Sequence, residues 1–233
     1  MSVLAALTAQ NTVGVSGIFP VPSAFVEQQI RAVAEDIGVD VVKTGMLSDS
    51  AVVAVVAECV RRYSMRKLVV DPVMVSKSGA ELLSAEAVSA LCTRLLPHAT
   101  VVTPNLPEAG VLSGIAVRRL ADMKEAARRI ADMGPAWIVI KGGHMKDEPP
   151  VNLVFDGKDY FQFGYERIDT PNTHGTGCTF ASAVATFIGF GSEMLECIEK
   201  AGDVVHYAIR HAHNLGKGHG PVGHAAIARK FGR

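Results

Sequence analysis

What most limits how this chain can fold is the alternation of short β-branched runs with longer amphipathic stretches. VDVVKTGML, KLVVDPVM, TVVTPN and AWIVIKGG are dense in Val and Ile and end in polar, Gly or Pro residues, so they read as buried strands. Between them apolar residues recur at helical spacing. Over 23–37 they are Phe25, Val26, Ile30, Val33, Ala34 and Ile37, with Gly38 as a stop. Over 51–63 they are Val52, Val55, Val56, Cys59, Val60 and Tyr63, with caps available at 48–50. Further helices are predicted around Val88, Leu91, Cys92, Leu95 and Leu96, over 120–133 up to Gly134, over 178–189 and over 193–215. VLAALTAQ reads as a first buried strand, and VNLVFDGKDYFQF as a hairpin turning at Asp156 and Gly157.

Repeated strand–helix units lead to a doubly wound α/β fold, a mostly parallel sheet with helices on both faces. No linker or composition break divides residues 1–233, so a single domain is predicted. Lys and Arg (23) balance Asp and Glu (23), which leaves no electrostatic footprint for nucleic acid or an anionic membrane. No apolar run reaches membrane-spanning length, and MSVLAAL lacks the basic start of a signal peptide. Cys59, Cys92, Cys178 and Cys197 are widely spaced without a CxxC pair, as in a cytoplasmic protein with reduced thiols.

In doubly wound sheets ligands bind at the carboxyl ends of the strands. The polar strand tails AQNT, KTGML, DPVM, TPNLPE and KGGH therefore hold the candidates. THGTGCTF adds glycines just ahead of a helix, where backbone N–H groups and the helix dipole favour an anion. Gly175, Thr176, Gly177 and Cys178 could cradle a phosphoryl group, and the same position should lower the Cys178 pKa. By the loop alone, a tight turn before a core cysteine fits equally well. Asn105 and Glu108, three apart, could hold Mg²⁺ through its waters or could simply cap a helix whose first turn contains Pro107. Asp71 could balance a cation or end a strand. Lys141 could meet a nucleotide phosphate as a point charge or stand in solvent. His144 reads as a loop residue. Gln10 offers the donor and acceptor pattern that an aminopyrimidine edge requires, and Met46 offers a soft surface for a flat ring. Together these groups point to phosphoryl transfer, which depends on positioning and charge neutralisation.

ALTAQNT, VKTGML, VVDPVM, TPNLPEA, VIKGGH, THGTGCTFASA and GKGHGPV, in this order, closely resemble the hydroxymethylpyrimidine/phosphomethylpyrimidine kinases of the ribokinase-like superfamily. The resemblance covers essentially the whole chain. It implies ATP-dependent phosphorylation with Mg²⁺, in thiamine diphosphate biosynthesis, by a homodimer. It places Gln10 and Met46 at the pyrimidine, Gly175 to Cys178 at an anion hole with Thr176 on phosphate, and Cys178 where many superfamily members carry a basic Asp. Asn105 and Glu108 match the NxxE metal motif, with Asp71 and Lys141 near the metal and the ATP phosphates. Family members usually carry a strand and a glycine-rich segment ahead of the MSVLAALTAQNT region, so the chain is expected to be truncated at its amino end relative to them. Pyridoxal kinase activity and a non-catalytic pyrimidine-binding module are the competing expectations.

Overall fold

The computed structural model describes residues 1–74, 83–143 and 149–231; His144 lies outside them. Six strands form the central sheet in chain order: β3 (Val42–Thr44), β4 (Leu68–Val70), β5 (Val101–Val102), β6 (Trp137–Lys141), β7 (Val151–Phe155) and β8 (Tyr160–Gly164). β3 to β6 are parallel, and β7 and β8 close the sheet as an antiparallel hairpin. The Asp156 side chain accepts the amides of Lys158 and Asp159 and so sets that hairpin's turn.

The side-chain period of two explains why these runs are apolar throughout. Leu68, Val70, Val102, Ile138 and Ile140 face one core, under α2 (Ser50–Arg62), α3 (Ala85–Ala90), α4 (Leu106–Ser113) and α5 (Leu120–Ala131). Val69, Val101 and Val139 face a second core, under α6 (Thr176–Gly189) and α7 (Met194–Arg210). α1 (Ser23–Asp36) packs on α2, and α8 (His224–Phe231) on α7. The doubly wound fold predicted from the alternation is therefore present, with a mixed sheet.

Three local expectations need correction. VLAALTAQ is not a buried strand of the sheet. Its residues Ala6–Gln10 form β1, which pairs only with β2 (Val15–Pro20) in a separate antiparallel hairpin, and most of both strands is exposed. Thr8 and Gln10 alternate with Leu7 and Ala9, the pattern of a ribbon with two unlike faces. α7 stops at Arg210, with His211 as its C-cap, and the glycine-rich run 216–219 that follows is a series of bends outside the helix. The helix after Ser84 first widens and then tightens, through a π turn at Leu91–Leu95 and a 3₁₀ turn at Leu96–His98.

A detached hairpin opens more easily than a two-sided core. Amide hydrogen exchange followed by mass spectrometry should show residues 6–20 exchanging at least about a hundredfold faster than β4 and β6. Equal protection of the hairpin and β4 would contradict this architecture.

Candidate active site

The carboxyl ends of β4, β5 and β6 converge, and the parallel register brings their next residues together. Asp71, directly after β4, is 2% exposed. Thr103, after β5, donates its hydroxyl to Asp71 Oδ1 at 3.2 Å. Lys141, the last residue of β6, donates its Nζ to the same oxygen at 2.9 Å. Asn105 caps α4: its side chain accepts the Glu108 amide at 2.9 Å, and Glu108 Oε2 accepts the Asn105 amide at 2.8 Å. The capping alternative thus holds as local structure. It also aims a buried carboxylate at the site, because Glu108 is 6% exposed.

The other wall is the N-terminus of α6. Gly175 starts it in the left-handed region at φ 86°, which favours glycine. At Gly177 the helix comes close to the ion pair. A Cβ there would lie 3.1 Å from Lys141 Nζ and 3.8 Å from Asp71 Oδ2. The ammonium therefore sits beneath a helix end whose free N–H groups carry partial positive charge.

The charges in this cluster perturb each other. Burial pulls the Lys141 ammonium down, but Asp71 and Glu108 outweigh it, so its pKa stands above the ordinary lysine value. Burial and the neighbouring Asp71 raise the Glu108 carboxyl, against the pull of Lys141. Cys178 overturns an expectation. Its pKa is raised, not lowered, because desolvation leads and Asp71 adds to it, outweighing Lys43 and Lys141. The helix terminus does not compensate for a carboxylate and a low-dielectric wall, although the thiol itself opens into the cleft.

One cleft of about 1680 Å³ receives all ten predicted residues: Gln10, Met46, Asp71, Asn105, Glu108, Lys141, Gly175, Thr176, Gly177 and Cys178. β1 supplies Gln10 from one side, with Ala6 and Thr8 beside it. Two groups escaped the reading of the sequence. Lys43 acts on the Cys178 thiol from within β3; a lone lysine in an apolar strand was the available sign. His224 lines the cleft and meets Thr179 Oγ1 at 3.0 Å, from α8, a helix too short to stand out.

The sequence pattern of the family described as Phosphomethylpyrimidine kinase matches residues 1–223. The chain belongs to the phosphomethylpyrimidine kinase family. It is 41% identical over 230 residues to the hydroxymethylpyrimidine/phosphomethylpyrimidine kinase of Bacillus subtilis, spanning 98% of this chain and 85% of that protein. It is 50% identical over 227 residues to a thiamine biosynthesis bifunctional protein of Geobacter sulfurreducens, spanning 97% of this chain but only 46% of that longer protein. Among solved structures, pyridoxal kinase from Staphylococcus aureus in complex with AMP-PCP and pyridoxal superimposes with a TM-score of 0.89 at 33% identity, over 98% of this chain and 83% of that one. The fold of the chain is thus that of a family of small-molecule kinases.

Mg²⁺ fits the chemistry of these donors. Two buried carboxylates, Asp71 and Glu108, face one lysine, and hard oxygen donors suit that ion. Among the described residues no three His, Cys, Asp or Glu side chains close on one point. A cation here would therefore be completed by water and phosphate oxygens. Glu108→Gln separates capping from charge, since glutamine preserves the capping box. It should leave the melting temperature within about 3 °C while lowering kcat by about a hundredfold. Full activity in this variant would reduce Glu108 to a cap.

Proposed function

We propose that the chain transfers the γ-phosphoryl group of ATP first to the hydroxymethyl oxygen of 4-amino-5-hydroxymethyl-2-methylpyrimidine and then to the resulting monophosphate, giving the diphosphate used in thiamine diphosphate biosynthesis. One observation carries this reading: Asp71, Glu108, Lys141 and the N-terminus of α6 meet in the same cleft as Gln10 and Met46. Phosphate-binding and ring-binding groups that line one cleft suit a small aromatic alcohol as acceptor.

Gln10 pairs with the aminopyrimidine edge, and Met46 covers the ring face. Lys141 meets the ATP phosphates, Thr176 hydrogen-bonds the transferring group, and the amides of 175–178 receive the charge it develops. Asp71, Asn105 and Glu108 would hold Mg²⁺, which would supply charge neutralisation to the phosphate oxygens. In the first reaction the substrate oxygen forms a bond to the γ-phosphorus, the bond to the bridging oxygen of ADP breaks, and the hydroxyl proton passes to Cys178 Sγ. A raised thiol pKa makes the thiolate scarcer but more basic. In the second reaction the attacking phosphate oxygen is already anionic and needs no base.

Pyridoxal is the competing acceptor, a flat heteroaromatic alcohol bound by the Staphylococcus aureus kinase described above. Gln10 favours the aminopyrimidine, and a coupled assay with both substrates decides. Leu7 and Phe19, exposed on the hairpin, give a homodimer an apolar surface to bury. The four cysteines stand as free thiols, and no helix among the described residues is long and apolar enough to cross a membrane. Both facts fit our placement of the chain in the cytoplasm.

Cys178→Ala should lower the first phosphorylation by about a hundredfold or more and the second by less than about fivefold. Because the folded-state thiol titrates above its ordinary value, the wild-type rate of the first reaction should keep climbing into the alkaline range, and the rate of the second should not. Equal losses in both reactions would refute a base role for Cys178.

A further inference from the structure

The GKGHGPV run takes no part in the chemistry above, yet its glycines press closely on two distant parts of the chain. A Cβ at Gly216 or Gly218 would overlap Thr12, and one at Gly220 would overlap Asn172. Thr12 stands at the tip of the β1–β2 hairpin, in a turn where the Asn11 side chain accepts the amides of Val13 and Gly14. Its Oγ1 accepts the amides of Lys217 at 3.2 Å and Gly218 at 3.3 Å, and its carbonyl accepts the amide of His219 at 2.8 Å. Farther along the same run, Gly220 O accepts the His174 amide at 3.0 Å, and the Val222 amide donates to His174 O at 3.1 Å. Asn172 Nδ2 donates to Asn214 Oδ1 at 2.7 Å. His174 is the residue just before Gly175, where α6 and the anion loop begin.

One run of backbone therefore holds both walls of the cleft. At its base the hairpin is tied to α1, where Gln29 exchanges two hydrogen bonds with the Leu4 backbone. At its tip it is tied to this run. An isolated two-stranded ribbon is marginal in water, so the position of Gln10, two residues before Thr12, depends on those ties. We propose that Gly216–Val222 is a strap that positions the hairpin against the anion loop through Thr12 and His174, and so fixes where Gln10 stands relative to Gly175–Cys178. Thr12 is a positioning residue in this scheme, acting on the acceptor subsite through the strap. Its kinetic consequence rests on the kinase reading above; its structural consequence does not.

Thr12→Val keeps the shape of the side chain but removes the acceptor of two amides, and Thr12→Ser keeps the acceptor. Hydrogen exchange on the full-length chain should show residues 171–178 exchanging about tenfold faster in Thr12→Val, with residues 138–140 unchanged and Thr12→Ser close to wild type. In the kinase assay Thr12→Val should lose about tenfold in kcat/KM for 4-amino-5-hydroxymethyl-2-methylpyrimidine, while the KM for ATP stays within about twofold and Thr12→Ser restores the rate. The proposal is overturned if exchange at 171–178 does not change in Thr12→Val, or if it rises equally at 138–140. It is overturned too if exchange responds as described and the kinetics do not. A wild-type chain without kinase activity would instead refute the proposed function and leave exchange to decide the strap.

Discussion

The ion pair between Lys141 and Asp71 is the contact on which the site depends. It spans two strand spacings, from the end of β6 to the end of β4, and Thr103 from the intervening β5 shares the same acceptor oxygen. Lysine is long enough to cross that width, and strands about 4.8 Å apart set the distance. Two such groups are costly to bury unless each satisfies the other, and removal of either partner strands a charge at a cost of about 3–5 kcal/mol. Glu108 and Cys178 both feel the charges of this pair, and the start of α6 packs against it at Gly177. The raised Glu108 carboxyl and the raised Cys178 thiol both follow first from desolvation and second from the nearby Asp71 carboxylate.

The fold supplies this cluster economically. Parallel strands end at one edge, so the residues that follow β4, β5 and β6 become neighbours without being close in sequence. The same edge receives the N-terminus of α6, which brings partial positive charge without a side chain that must be desolvated. The wall that carries Gln10 is built differently. It comes from a two-stranded ribbon outside the sheet, held by side-chain and glycine contacts at its two ends.

Much of this was legible in the residues. The valine-rich runs around Leu68, Val101 and Ile138 are apolar on both faces, which only a two-sided sheet explains. Their polar ends then had to share an edge, so Asp71, Asn105, Glu108 and Lys141 could be grouped before any geometry was known. The β2 strand was not legible, because VSGIFP mixes Gly, Ser and Pro and pairs through a tip whose anchor lies more than 200 residues away, at Lys217 and Gly218. The sign of the Cys178 shift was also out of reach. Sequence shows the helix start that lowers a thiol pKa, but only the packed site shows the desolvation at the cleft wall and the Asp71 carboxylate that raise it. Lys43 and His224 were hidden for a related reason: one acts on the Cys178 thiol and the other lines the cleft, each from an element whose sequence reads as plain scaffold.

If Lys141 and Asp71 act as one unit, their removal should not be additive. A double-mutant cycle with Lys141→Met, Asp71→Asn and the combined variant, read as kcat/KM for phosphorylation of 4-amino-5-hydroxymethyl-2-methylpyrimidine, tests this directly. Each single variant should lose about a hundredfold or more, and the combined variant should lose little beyond the worse of the two. Losses that multiply, with the double variant down by the product of the singles, would show two independent groups and contradict the account.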